Sequence, residues 1–245
     1  MENAQLISLS RQIGLQRQMD IVANNLANMN TTGFKSEDLL FKEYQMPVAR
    51  DRDFSFSDQK LSYTEDWGTV RDMSAGAIEQ TGNPLDVAAE GPGFFAVQTQ
   101  QGERYTKGGS FQLDPTGTLV DLDGNPVLTE SGPVKFDVAD SDINIAADGT
   151  ISTSDGPRGR LKMVEFADPQ TLEHQGDNLF SGTGGTPAAK THVLQGSIEK
   201  SNVSGVTEMS QMVRVTRAYE TLANLMEQQN DLRRSAIQRL GDITA

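Results

Sequence analysis

The sequence predicts an α+β fold. Long N- and C-terminal helices pair as a coiled-coil-like helical domain, and an all-β, antiparallel domain lies between them. Three observations carry this expectation. Both chain ends are nearly free of helix breakers and repeat apolar residues at spacings of three and four. The middle is crowded with glycines and Asp-Gly turn signals that separate short alternating runs. Only 36% of the 245 residues are hydrophobic, a low share for a compact enzyme of this length, although the length allows one large domain or two ordinary ones.

The N-terminal thirty residues read as helix, with no proline and a single glycine, Gly14. Leu6, Leu9 and Ile13 form one stripe, and Leu15, Met19, Val22, Leu26 and Met29 form a second on a shifted face. Asn28, Asn30, Thr31, Thr32 and Gly33 favour caps and left-handed turns and mark the stop. Residues 36–75 are charged and aromatic without a clear period, as in Arg50-Asp51-Arg52-Asp53-Phe54, and predict an extended connector with one or two short strands. From Gly76 to about Ser201, runs such as Phe94-Phe95-Ala96-Val97-Gln98-Thr99 alternate with turns such as Asp114-Pro115-Thr116-Gly117 and Asp123-Gly124-Asn125. Antiparallel hairpins follow from that punctuation.

The C-terminal helix is longer. From about Val206 to Leu240 there is neither proline nor glycine, which makes roughly 35 residues and ~52 Å of helix. Met209, Met212, Thr216, Tyr219, Ala223, Met226, Ile237 and Leu240 fall on one heptad seam, interrupted by Asn230 and Arg233. Val215, Ala218, Leu222, Leu225, Leu232 and Ala236 fall on an adjacent one, with Gln229 between them. Two adjacent seams let one helix touch more than one partner helix. Ser204 is placed to cap its start, and Glu208 puts negative charge in the positive first turn. The expected organisation is therefore residues 1–33 and 204–245 as a helical domain, 34–75 as connector and 76–203 as β domain.

Charge and composition remove whole classes of function. With 34 acidic and 21 basic residues the net charge is −13, and no dense basic patch offers itself to a phosphate backbone. The absence of cysteine excludes disulfide scaffolds, thiolate zinc sites and thiol catalysis. His174 and His192 are the two histidines, and neither sits in a G-x-S-x-G or H-E-x-x-H context. Asp121-Leu122-Asp123-Gly124-Asn125 begins like a calcium loop, but its glycine is fourth and Gly132 stands where the twelfth-position glutamate belongs, so it reads as a hairpin turn. Gly91-Pro92-Gly93 and Gly182-Thr183-Gly184-Gly185 lack the lysine and spacing of phosphate loops. The sequons at Asn30 and Asn202 read as helix-boundary chemistry, and Met209, Met212 and Met226 as packing residues. No run approaches the roughly 18 apolar residues of a membrane span, and residues 1–30 contain no continuous apolar leader. No catalytic residue, metal or cofactor is expected.

Four blocks of sequence carry a family resemblance. Asn24-Asn25-Leu26-Ala27-Asn28-Met29-Asn30-Thr31-Thr32-Gly33-Phe34-Lys35 resembles the N-terminal signature of bacterial flagellar axial proteins, the rod and hook subunits. Thr81-Gly82-Asn83-Pro84-Leu85-Asp86-Val87-Ala88-Ala89-Glu90-Gly91-Pro92-Gly93-Phe94-Phe95 is similar to the second block of that family. Tyr105-Thr106-Lys107-Gly108-Gly109-Ser110-Phe111, followed by Asp114, Gly117 and Leu119, is similar to the third. Gly196-Ser197-Ile198-Glu199-Lys200-Ser201-Asn202-Val203, leading to Arg217-Ala218-Tyr219-Glu220, is similar to the fourth. The blocks occur in order and span nearly the whole chain.

The resemblance implies a structural subunit of the flagellar basal-body rod that polymerises through its terminal helices into an inner tube, with the β domain outside. Its implied partners are other rod subunits, further copies of itself and the flagellar type III export apparatus, with no nucleic acid and no membrane insertion. The implied location is the rod crossing the periplasm, reached without a cleaved signal peptide. The short β domain and the opening Met1-Glu2-Asn3-Ala4 most resemble proximal rod subunits; a distal rod or hook-type subunit is the alternative, and an enzyme acting on cell-wall glycan is the alternative of a different class. The residues carried over are Asn24, Asn25, Leu26, Asn28, Thr32, Gly33 and Phe34 from the first block and Gly82, Asn83, Leu85, Asp86, Gly91, Phe94 and Phe95 from the second. Ser201, Asn202 and Val203 come from the fourth, and Met209, Met212, Tyr219, Leu222 and Met226 from the C-terminal helix.

Overall fold

A computed structural model describes residues 2–45, 62–137 and 142–242. Met1 and the charged run at 50–54 lie outside the described residues. The chain divides into a helical unit, made of Met1–Leu26, Glu37–Val70 and Ser204–Ala245, and a β unit, made of Ala27–Ser36 and Arg71–Val203.

In the helical unit, α1 spans Glu2–Ala27 and α2 spans Gly205–Asp242. α1 stops a turn earlier than its apolar period suggests, because the Asn28 carbonyl and side-chain oxygen both accept from Thr31 and turn the chain. α2 runs on through Gly241, whose flexibility alone does not end a helix. Side chains of the two helices meet: Gln12 donates to the Tyr219 hydroxyl at 2.9 Å, and the Thr216 hydroxyl lies 3.7 Å from the Met19 sulfur. Val22 and Val215 are buried. The second stripe of α1 thus turns inward at Val22, with Leu15, Met19 and Leu26 half-buried, while Leu6, Leu9 and Ile13 stand about half exposed.

The stretch expected as a connector contains two strands, β1 (Glu37–Gln45) and β2 (Ser62–Arg71), which pair with each other. They are longer than the short strands the sequence suggested. Alternation in β1 is masked by its charges, so composition hides the period. A two-stranded ribbon is marginal alone, and contacts within the helical unit hold β1. Asn25, almost wholly buried, accepts from the Glu37 N–H at 3.0 Å and donates to the Glu37 carbonyl at 2.9 Å, as a neighbouring strand would. Gly14 leaves room for the Phe41 ring, which a Cβ would meet at 3.0 Å.

The β unit is built around a six-stranded antiparallel sheet in the order Glu173–His174, Phe180–Ser181, Gly102–Thr106, Phe94–Thr99, Met163–Glu165, Thr186–Pro187. Successive residues of a strand face opposite sides, so Phe94 and Phe95 serve two cores. Phe95 packs edge-on against Phe111 in a large cluster with Val97, Leu119, Ile151 and Leu161. Phe94 packs edge-on against Phe166 and Phe180 in a smaller one. Asp121 accepts from the Asp123 and Asn125 backbone N–H groups at 3.0 and 2.7 Å, so the calcium-like segment is a self-satisfied turn. Asp114 repeats the device with Thr116 and Thr118.

Candidate functional site

The four sequence blocks converge inside the β unit, where three chain segments cross: Asn28–Ser36 after α1, residues 71–76, and residues 199–203 before α2. Each segment is anchored by a different chemistry.

Backbone approach comes first. Gly33 adopts φ +68° and donates to the Glu199 carbonyl at 2.7 Å. A Cβ there would stand 2.3 Å from the Lys107 backbone, so both conformation and space demand glycine. Gly76 is pressed as closely against Lys200, whose carbonyl oxygen would lie 1.8 Å from a Cβ. Thr32 receives a hydrogen bond from Asn178 at its carbonyl, and Phe34, two residues on, is buried.

Charge comes second. Lys35 and Glu199 form an ion pair at 2.5 Å with side chains 1% and 3% exposed. Lys35 also donates to the Ser74 carbonyl at 2.7 Å, and the same Glu199 oxygen accepts from the Gly76 N–H at 2.9 Å. Removing two ions from water is costly, and the extra hydrogen bonds are what make the burial tolerable. A second buried lysine lies close by. Lys107 donates to the Gly91 carbonyl at 2.5 Å and stands over the Phe94 ring, 5.2 Å from its centroid. Burial, opposed by the Glu199 carboxylate and aided by the Lys35 charge, lowers its pKa to about 8. One carboxylate therefore faces two buried cations.

Amide recognition comes third. Asn202 accepts from the Ser36 N–H at 2.8 Å and donates to the Asp72 carbonyl at 2.8 Å, bridging two of the crossing segments. Asp72 donates in turn to the Ser36 carbonyl through its own N–H, and its carboxylate accepts from the Ser74 N–H. That hydrogen bond and one from the Ser74 hydroxyl hold the Asp72 carboxyl below the usual range. Ser201 caps the Val203 N–H at 3.2 Å.

The second block closes a separate turn next to the fourth. Asp86 accepts from the Thr81 hydroxyl and the Asn83 amide, Asn83 accepts from the Leu85 N–H, and the Gly196 carbonyl accepts from the N–H groups of Thr81 and Gly82. Gly82 and Asn83 are exposed, Leu85 half-buried and Asp86 buried. Gly91, Phe94 and Phe95 lie around Lys107 and the two cores.

The remaining expected residues are elsewhere. Asn25 is the buried clamp on β1, Leu26 is half-buried, and Asn24 is exposed. Asn28 forms the turn that ends α1. Along α2, Met212, Tyr219, Leu222 and Met226 are half-buried, whereas Met209 is exposed. Sequence reasoning passed over Lys35, Glu199 and Lys107 as site residues, together with Asp72, Ser74, Gly76 and Asn178. The first three lie within the blocks. Their signal is a single charge set among glycines and apolar residues, where a surface side chain has little reason to stand.

Close to the crossing, a small recess is lined by Asp121, Asp123, Asp177 and Asn178. Burial, then the Asp121 and Asp177 charges, push the Asp123 carboxyl up. Among the described residues no group of three or more His, Cys, Asp or Glu side chains could hold a metal ion, and no described helix is long and apolar enough to cross a membrane. What the crossing can do is mechanical: it fastens the segment after α1 to the segment before α2.

Comparison with known proteins agrees with the placement of the blocks. Residues 6–35 match the family model of flagella basal body rod proteins. Residues 88–153 match that of the flagellar hook protein FlgE/F/G D1 domain, and residues 194–239 that of the flagellar basal body rod FlgEFG protein C-terminal region. The flagellar basal-body rod protein FlgF of Caulobacter vibrioides is 40% identical, covering 99% of this chain and 100% of its own. FlgF of Escherichia coli is 35% identical over 87% of this chain and 88% of its own. The rod protein FlgG of Bacillus subtilis is 30% identical over 89% and 91%.

Proposed function

We infer the role of this chain from one premise: it belongs to the flagellar basal-body rod protein family. It is a structural subunit of the rod in the flagellar basal body, and it assembles with other rod subunits. We propose that it occupies the proximal rod and works without catalysing a reaction. Near full-length similarity to proteins named FlgF supports the proximal position.

The observation that carries the assembly mechanism is the apolar surface left on both helices. Leu6, Leu9 and Ile13 on α1, and Val213, Leu225, Leu232 and Ile237 on α2, are 45–71% exposed. Such faces are stable in water only when another helix covers them. In this reading residues 1–33 and 204–245 act as one helical domain whose coiled-coil-like seams are completed by neighbouring subunits. Residues 76–203 stand as the β domain, and 34–75 link the two. Ordering of the ends is coupled to polymerisation, because isolated seams gain too little to offset their ordering entropy. Contacts between successive subunits are heterologous and generate a helical tube in place of a closed ring. Family membership supports passage through the flagellar type III export apparatus, with the subunit in the rod as it crosses the periplasm. The net charge of −13 supports a role without nucleic acid.

Deletion of residues 1–26 tests the mechanism. The shortened chain should keep a folded β unit and fail to enter the rod, scored in isolated basal bodies by electron microscopy and immunoblot. Incorporation at the wild-type level would overturn assembly through the terminal helices. Labelling at the far end of the rod would overturn the proximal position.

A further inference from the structure

The helical unit carries two apolar seams that stay open in the single chain, one on each helix. On α1, Leu6, Leu9 and Ile13 follow at spacings of three and four and stand about half exposed. Ile13 precedes the buried Val22 by nine residues, about two and a half turns, so this seam lies on the far side of α1 from Val22. On α2, Ala218, Leu222, Leu225, Leu232 and Ala236 keep the a/d rhythm of a coiled coil, with Gln229 at the one remaining layer. Leu225, Leu232 and Ala236 are exposed, and Ala218 and Leu222 are half-buried beside the buried Val215.

α2 also outruns α1. Gln12 meets Tyr219 and Met19 meets Thr216, so the two helices are antiparallel, and the start of α1 at Glu2 falls near Gln229. Ile237 lies about five turns beyond Tyr219 and so on the same face, yet it is 70% exposed. The side of α2 that holds α1 therefore runs on past the start of α1, where no described helix of the same chain lies beside it. Leu232 and Ala236 belong to this overhang. Charge permits another copy to come close: residues 1–26 hold two carboxylates and two arginines and residues 204–245 five of each, so the −13 of the chain is carried elsewhere.

We propose that the Leu6–Leu9–Ile13 seam of one copy packs antiparallel on the Ala218–Ala236 seam of a second copy. The proposal rests on the reading that assembly runs through the terminal helices, and it names the faces that meet. The seams are unlike: bulky side chains fill every layer on α1, whereas the α2 seam is bounded by Ala218 and Ala236, which leave room for a bulky partner. Copies in a helical tube point the same way, so a contact between α1 and α2 of neighbours keeps the antiparallel sense found within the chain. Each copy offers one seam of each kind. Any string of copies then ends on a free seam at both sides, so the array stays open.

The native chain lacks cysteine, which makes disulfide trapping clean. Ile13→Cys combined in turn with Ala218→Cys, Leu225→Cys or Leu232→Cys samples the three registers, one heptad apart, that set Ile13 on an apolar layer. In the full-length assembled protein at least one pair should give a ladder of oxidised multimers on a non-reducing gel. Both seams are turned from the contact between α1 and α2 of one chain, and packed helix axes lie about 8–10 Å apart. A disulfide spans at most roughly 7 Å between Cα atoms, so the link must join two copies. Partners two residues further on, Glu220→Cys, Glu227→Cys and Arg234→Cys, sit about 160° around α2 and should each give at least about tenfold less. Dimers from Ile13→Cys alone, ladders favouring the second set, or assembly with no ladder in any register overturn the proposal. If the cysteine variants do not assemble, Leu232→Asp decides. It should leave helix content unchanged by circular dichroism and cut incorporation at least about fivefold, because the seam would bury a charge. Glu227→Ala, on the opposite side of α2, should incorporate normally; equal incorporation of the two variants overturns the contact. Loss of assembly on deleting residues 1–26, together with indifference to Leu232→Asp, leaves the rod mechanism standing and sinks this contact alone.

Discussion

Glu199→Gln isolates the charge at the crossing of the β unit. The amide keeps the shape of the side chain and an oxygen for the Gly76 N–H, but it leaves Lys35 and Lys107 as two buried cations with no anion between them. Breaking a buried pair by removing one partner costs about 3–5 kcal/mol. With side chains 1% and 3% exposed, solvent screening offers no relief. The expected loss is therefore about 3–5 kcal/mol, read as a urea midpoint about 1.5–2.5 M lower for a slope near 2 kcal/mol/M. Lys35→Met combined with Glu199→Gln should recover at least about 2 kcal/mol of that, because the cation stranded by the first change is gone. A single variant within about 1 kcal/mol of wild type, or a double variant as damaging as the sum of the singles, would contradict a stranded buried cation.

Lys107 gives a pH signature of the same site. Its pKa is about 8 in the folded chain against an ordinary 10.5, so between those values the unfolded chain holds a proton the folded chain has released. Stability should then rise with pH through that window, by about 3 kcal/mol at its end, with the full penalty present below pH 8. Lys107→Met should flatten the rise in urea midpoints measured from pH 7 to 9.5; an unchanged rise would assign it to other groups. Gly76→Ala should cost about 2–4 kcal/mol through its clash with Lys200, whereas Gly82→Ala, at φ +75° with open space around it, should cost about 1 kcal/mol; equal melting shifts would contradict this contrast. Asn25→Ala should cost about 2–3 kcal/mol and speed amide exchange across Glu37–Gln45, with unchanged exchange counting against the clamp.

The charges at the crossing were the least visible part of the sequence. Periodicity reports faces, and composition reports classes, but neither reports that Lys35 and Glu199, 164 positions apart, meet in a dry interior. β1 was obscured for a related reason. Glu37, Asp38 and Lys42 break its alternation, and the strand is held by Asn25 and by the space left at Gly14.

Elements whose signals are local can be read from the chain before it folds. Nearly breaker-free ends with spacings of three and four make α1 and α2, Asp-Gly turns make hairpins, and four blocks in order identify the family. Each of these depends on residues within a turn or two of one another. Tertiary structure alone decided which stripe of α1 faces inward, that Phe94 and Phe95 serve different cores, and that glycines at 33 and 76 are demanded by a neighbouring backbone. It also decided that one carboxylate balances two buried lysines. Those outcomes depend on burial and on close approach between distant segments, and a chain acquires both only when it has folded.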